Sequence, residues 1–230
     1  MAMLVLAFSF AGYAAAQKRT LAAEAALEIL QGKNRNIQFG DYKWRLLDIQ
    51  GDKALLITED VIETRPYNKQ YTDVIWETCD LREYLNGEFL QKFTAEQRGK
   101  IAETNLPNPN NLWYGTPGGN DTFDKIFLLS LEEVDWYFGN SGDYQNKMRK
   151  KYDNGKWVGV ADSDGYAFSN DNDSERQTKI IDGTLFWWLR SPGYSNLRAA
   201  GVRDIGAVDV GGSAVNRAGG VCPALWLNLK

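Results

Sequence analysis

The chain reads as an α+β domain in which short antiparallel strands, a few packed helices and long ordered loops share one core. Three observations lead there. A turn signal, Gln50-Gly51-Asp52-Lys53, separates two β-prone apolar runs. Asp80, Thr94 and Ser130 each stand three positions before a Glu or Gln at the head of a candidate helix. The C-terminal stretch is a succession of valines parted by glycine-rich turn signals.

Composition narrows the function classes. A length of 230 residues suits one domain with a short extension and allows a large core. Aromatic residues make up 13%, enough to fill that core and leave some for a binding surface. The chain has no histidine, which removes Ser-His-Asp and Cys-His catalysis and histidine-ligated zinc together. A net charge of −4 supplies no general field for phosphate backbones, so no nucleic-acid partner is expected. The pair Cys79 and Cys222 reads either as one disulfide or as two buried thiols.

Residues 1–36 are set apart as an N-terminal leader and helix. "MAMLVLAFSFAGYAAA" before Gln17 has the apolar run and Ala-rich end of a signal peptide but no basic residue ahead of them. It reads as a leader to secretion or the cell surface, or as a packed or poorly ordered N-terminal segment; it is too short for an integral membrane span. Thr20 to Leu30 is rich in helix formers, and Gly32 stands where that helix would stop.

The domain proper spans 37–230. From Ile37 the apolar residues Phe39, Tyr42, Trp44 and Leu46, then Ala54 to Ile57, predict an antiparallel hairpin. Asp80-Leu81-Arg82-Glu83 has capping-box spacing, and Leu81, Tyr84, Leu85, Phe89 and Phe93 recur at helical intervals, predicting an amphipathic helix. Thr94-Ala95-Glu96-Gln97 and Ser130-Leu131-Glu132-Glu133 predict two more short helices. Between them a Pro/Asn/Gly-rich segment predicts a long ordered loop, ending in a short buried strand at Ile126 to Leu129. Gly115-Thr116-Pro117-Gly118-Gly119 lies in that loop without the Lys-Ser/Thr of a phosphate cradle, and reads as a turn. "DSDGYAFSNDNDSE", Asp162 to Glu175, has the oxygen ligands of a calcium loop without EF-hand spacing; a solvated acidic loop is the other reading.

The densest aromatic block, "FWWLRSPG" at Phe186 to Gly193, stands directly before the lightest segment. Phe186, Trp187 and Trp188 read as core, with each indole N–H donated to a backbone oxygen. Arg190 is expected to tie the following turn to a carboxylate. Beyond it Val202, Val208, Val210 and Val215 predict short strands, and the residues between them share no chemistry, as expected of outward positions on a fixed framework. "VCPALWL" at Val221 to Leu227 then predicts a strand that pairs centrally and closes the domain.

"FGDYKWRLL", "WETCDLREYLN", "GGNDTFDKIFLLS", "FWWLRSP" and "GGVCPALWL" together resemble the variable proteins of diversity-generating retroelements, bacterial and phage proteins ending in WWLRSPG and GGVRPALWL. This chain has Cys222 where that pattern has Arg. The resemblance implies a C-type lectin-like fold of the formylglycine-generating-enzyme type, with 187–227 as the variable, ligand-displaying region. Carried onto this chain, the display residues are Tyr194, Ser195, Asn196, Leu197, Arg198, Arg203, Asp204, Ile205, Asp209, Asn216 and Arg217. The expected activity is binding of a protein or other surface ligand, without catalysis, cofactor or resident metal; the oligomeric state is open.

Two alternatives stay beside it. A carbohydrate-binding lectin would use Trp113, Tyr114, Trp157 and the acidic run for stacking and calcium. A formylglycine-generating-type oxidase needs a close cysteine pair, which only the fold could make from Cys79 and Cys222.

Overall fold

Gly40 and Gly51 both take φ near +60°, a conformation that costs glycine no Cβ clash, and around them the N-terminal apolar runs fold into a meander. Its strands are Asn36–Phe39 (β1), Tyr42–Gln50 (β2) and Lys53–Thr58 (β3). The expected hairpin is present, with Gln50 opposite Lys53 and Trp44 opposite Thr58, and a bulge between Leu46 and Asp48. This computed structural model describes residues 36–139, 142–154, 156–159, 166–169, 173–178 and 183–229. The leader, the Thr20 to Leu30 helix and much of the acidic run lie outside the described residues.

After Glu63–Arg65 (β4), the chain forms Asp80–Tyr84 (α1), which continues through a π-helical turn at Leu85–Phe89 and a 3-10 turn at Leu90–Lys92. Leu81, Tyr84, Leu85, Phe89 and Phe93 are all buried, as their spacing predicts. The cap differs from expectation. Cys79 is the N-cap, its Sγ accepting from Arg82 N, while the Asp80 carboxylate accepts from Lys69 N at 2.6 Å. Asp80 is therefore the first helical residue and pins the preceding loop instead.

Thr94 caps Ala95–Lys100 (α2) through the predicted reciprocal box with Gln97. Three short strands follow, Ile101–Ala102 (β5), Thr104–Leu106 (β6) and Thr122–Asp124 (β7). Ile126 to Leu129 is buried as expected but is not a strand; its one bridge joins Phe127 to Ala224. The carbonyls on either side are taken elsewhere, Ile126 O by Asn86 Nδ2, Leu128 O by the Arg190 side chain and Leu129 O by the Arg190 backbone N–H, so the ladder does not extend. Ser130 and Glu133 then form the expected box at the head of Leu131–Tyr137 (α3).

The remaining elements are Lys150–Asp153 (β8), Lys156–Gly159 (β9), Ala167–Phe168 (β10), Asp173–Arg176 (α4), Phe186–Pro192 (β11), Arg198–Arg203 (β12), Val208–Ala214 (β13), Gly219–Val221 (β14) and Ala224–Asn228 (β15). One sheet has the order β1-β2-β3-β15-β5, so the "ALWL" strand is central as expected. The other runs β4-β14-β11-β12-β13-β10-β8-β9, and β6 pairs with β7 alone. Trp44, Leu56, Phe89, Leu128, Trp188, Val210 and Leu225 belong to one apolar cluster that joins both sheets and the helices.

Candidate functional site

Every residue of β11 is buried, and its polar groups are satisfied from distant parts of the chain. Trp188 Nε1 donates to Arg65 O at 2.9 Å and Trp187 Nε1 to Arg176 O at 3.4 Å, so both indoles use backbone oxygens as expected. Arg190 finds its carboxylate in Glu133: Nη2 donates to Oε1 at 2.9 Å, and Nη1 donates to Oε2. The same guanidinium donates to Leu128 O at 2.9 Å, Pro107 O at 3.2 Å and Asn108 Oδ1 at 3.2 Å. A fixed cation thus fastens the long loop and α3 to the strand that precedes the light segment.

The lightness of that segment is a packing requirement. A Cβ on Gly193 would sit 2.3 Å from Gly211 O, and one on Gly212, where φ is +75°, would sit 2.2 Å from Ala199 O. Gly212 lies in the irregularity that lets three residues of β13 face one of β12, between Ala199 and Gly201. Asn111, buried in the long loop, stitches the region together: Nδ2 donates to Pro192 O at 2.8 Å and Val210 O at 3.0 Å, while Oδ1 accepts from Trp113 N at 2.9 Å. Its single amide spans strands far apart in sequence, so no local pattern marks it out.

Val202, Val208, Val210 and Val215 are fully buried, whereas none of the eleven display candidates is. Five of the eleven come together. Arg198, Arg203, Asp204, Asp209 and Arg217 line a shallow depression of about 370 Å³ beside Leu185 and Phe186. Inside it Arg203 Nη2 lies 2.9 Å from Asp209 Oδ2, Asp209 Oδ1 accepts from Gly212 N at 2.9 Å, and Arg198 Nη1 donates to Gly212 O at 2.8 Å. Tyr194, 48% exposed, joins this group through Arg198, whose guanidinium carbon lies 4.7 Å from its ring centroid.

Tyr194 also meets Tyr114 edge-on, with ring centroids 6.2 Å apart, and the Arg149 guanidinium lies 5.8 Å from the Tyr114 ring. Burial raises the Tyr114 pKa, Arg149 opposes that rise, and Asp209 and Tyr194 add to it. Arg149 was not legible as part of this surface, because it comes from a segment remote in sequence. The other candidates stand apart. Asn196 is tied down, Nδ2 donating to Pro117 O at 2.9 Å and its carbonyl accepting from Val74 N at 3.0 Å. Ser195, Leu197 and Ile205 are half-buried in turns, Ser195 O accepting from Arg198 N, Leu197 O from Val215 N and Ile205 O from Gln177 Nε2, and Asn216 is exposed between β13 and β14.

The residues considered for other chemistry are placed differently. Trp113 is 6% exposed and donates Nε1 to Tyr144 O at 2.8 Å, so its ring is core and cannot stack on a sugar. Trp157 falls in β9, with its side chain outside the described residues. Among the described residues no three His, Cys, Asp or Glu side chains gather as a metal site. Cys79 and Cys222 are free and buried, which resolves the disulfide alternative in favour of thiols. Burial pushes each thiol up to about 12, far from the thiolate a nucleophile or metal ligand needs. Gly115 to Gly119 is an irregular loop, as expected. A second depression, about 420 Å³, is lined by Gln50, Lys53, Asn105, Tyr137 and Trp226 among others. Among the described residues no helix is long and apolar enough to cross a membrane.

The family model described as Domain of unknown function (DUF6273) matches residues 51–229, a span that contains the whole of this surface. No curated protein and no solved structure matches the chain.

Proposed function

We propose, for a chain that belongs to the DUF6273 family of domains of unknown function, that it is a binding protein presenting a changeable recognition surface on a C-type lectin-like scaffold. On this reading it resembles the variable proteins of diversity-generating retroelements, and its ligand is a protein surface. One observation carries the reading. The eleven outward positions between Tyr194 and Arg217 are all solvent-accessible, while the valines and glycines between them are buried or closely packed. That segregation lets side chains change without disturbing the framework. Tyr and Arg at the centre of the surface supply large, stiff and amphipathic contact area. The two thiols sit in separate surroundings, Cys79 beside Tyr67 and Cys222 beside Thr58 and Thr178, which favours binding over oxidase chemistry.

A combinatorial library at the eleven positions, displayed on phage and selected against an unrelated protein, tests this. Folded variants that bind the target are the expected result. A library whose members fail to fold, or never bind above the background of the parent chain, overturns the reading.

A further inference from the structure

Resting on that reading, we propose that the partner of this particular chain presents an acidic protein segment, whose spaced carboxylates dock on the Arg198–Arg217 depression and on Lys150 beside it. The chain as a whole is acidic, at −4, yet this face is not. Arg198, Arg203 and Arg217 line the depression against Asp204 and Asp209. Both oxygens of Asp209 are already occupied, by Arg203 and by the Gly212 amide, and one oxygen of Asp204 accepts from Ile205 N. Arg217 is exposed, and among the described residues its guanidinium has no partner.

The same sheet continues from β12 and β13 through β10 to β8 and β9. Asp209 pairs with Ala167 and Ala167 with Lys150, so half-buried Lys150, its Nζ 3.0 Å from Ser169 O, lies in the same cross-strand row as Asp209, and exposed Lys151 alternates to the other face. Positive charge on the Asp209 face therefore extends from the depression to Lys150. Complementary charge of this kind raises the rate of encounter and fixes the register of docking.

Carboxylate suits this face better than phosphate. Arginine forks pair with carboxylate and phosphate alike, so the choice rests on Asp204 at the rim, which repels a dense polyanion more than it repels spaced carboxylates, and on the apolar groups beside it. Tyr194 and Leu185, 48% and 65% exposed, offer apolar contact of the kind that peptide side chains use.

The test pans the full chain against a random-peptide phage library and measures the enriched peptides against wild type, Tyr194→Ala, Arg217→Glu and Lys151→Glu, with a short DNA duplex as the phosphate probe. Expected are peptides rich in Asp and Glu whose affinity falls about tenfold in Arg217→Glu and again when salt rises from about 0.05 to 0.3 M. Lys151→Glu, on the other face of β8, leaves their affinity unchanged. Peptides that lose binding in Tyr194→Ala but are not acidic and ignore both salt and Arg217→Glu overturn the acidic-partner inference and leave the binding function standing. DNA bound more tightly than the acidic peptides also overturns it, in favour of a nucleic-acid partner. If no enriched peptide is sensitive to Tyr194→Ala, the surface is not a recognition site and both readings fail.

Discussion

Arg190 and Glu133 meet in a two-point ion pair, Nη2 lying 2.9 Å from Oε1, with the guanidinium 2% exposed and the carboxylate 26%. Removing one partner leaves the other charge partly or wholly buried without compensation. Arg190→Met is predicted to destabilise the fold by about 3–5 kcal/mol, and Arg190→Lys by nearly as much, because an ammonium cannot reach the carboxylate and three further oxygens in one plane. Urea unfolding followed by tryptophan fluorescence measures both; a loss under about 1 kcal/mol for Arg190→Met contradicts the anchoring role.

The two thiols make stability depend on pH. Each has a folded pKa, about 12, above its unfolded value, so the unfolded chain gives up its protons first as pH rises. This contribution is complete below about pH 8.5 and is lost between there and pH 12, by up to about 1.4 kcal/mol per pH unit for each thiol. Urea midpoints at pH 8 and pH 10 should differ less in Cys79→Ala/Cys222→Ala than in wild type. Tyr67 and Tyr144, also raised chiefly by burial, keep some slope in the double variant. Equal slopes in the two proteins contradict the assignment.

Trp113 and Tyr114 are neighbours with opposite expected effects. Trp113→Ala empties a core site and is predicted to cost about 3–5 kcal/mol of stability. Tyr114→Ala removes the ring that braces Tyr194 and is predicted to cost under about 1.5 kcal/mol, while weakening any ligand selected on the display surface about tenfold. Calorimetry and binding on the same two variants separate the effects; the reverse pattern would restore Trp113 as a contact residue.

Much of the framework was legible because it is local. The Gln50 to Lys53 turn, the boxes at Thr94 and Ser130 and the buried valines each follow from residues a few positions apart. What was illegible depends on groups far apart in sequence. Arg190 claims the carbonyls that Ile126 to Leu129 would need as a strand, Cys79 displaces Asp80 as a cap, and Asn111 and Arg149 reach their partners only in three dimensions. The light tail is legible only in part. The outward residues between its valines follow from the strand pattern and Tyr194 to Arg198 from the family resemblance, but Gly193 and Gly212 reflect backbone contacts at 2.3 and 2.2 Å from a would-be Cβ, which no strand pattern can show.

Thermal unfolding of two variants tests the division between scaffold and display most directly. One carries Ser195→Ala, Asp204→Ala, Asn216→Ala and Arg217→Ala together; the other carries Gly212→Ala alone. Four changes at exposed or half-buried positions are predicted to move Tm by no more than about 3 °C, whereas one methyl group forced against Ala199 O at a positive φ is predicted to lower it by about 6–12 °C. A fourfold variant that melts as early as Gly212→Ala would contradict the division.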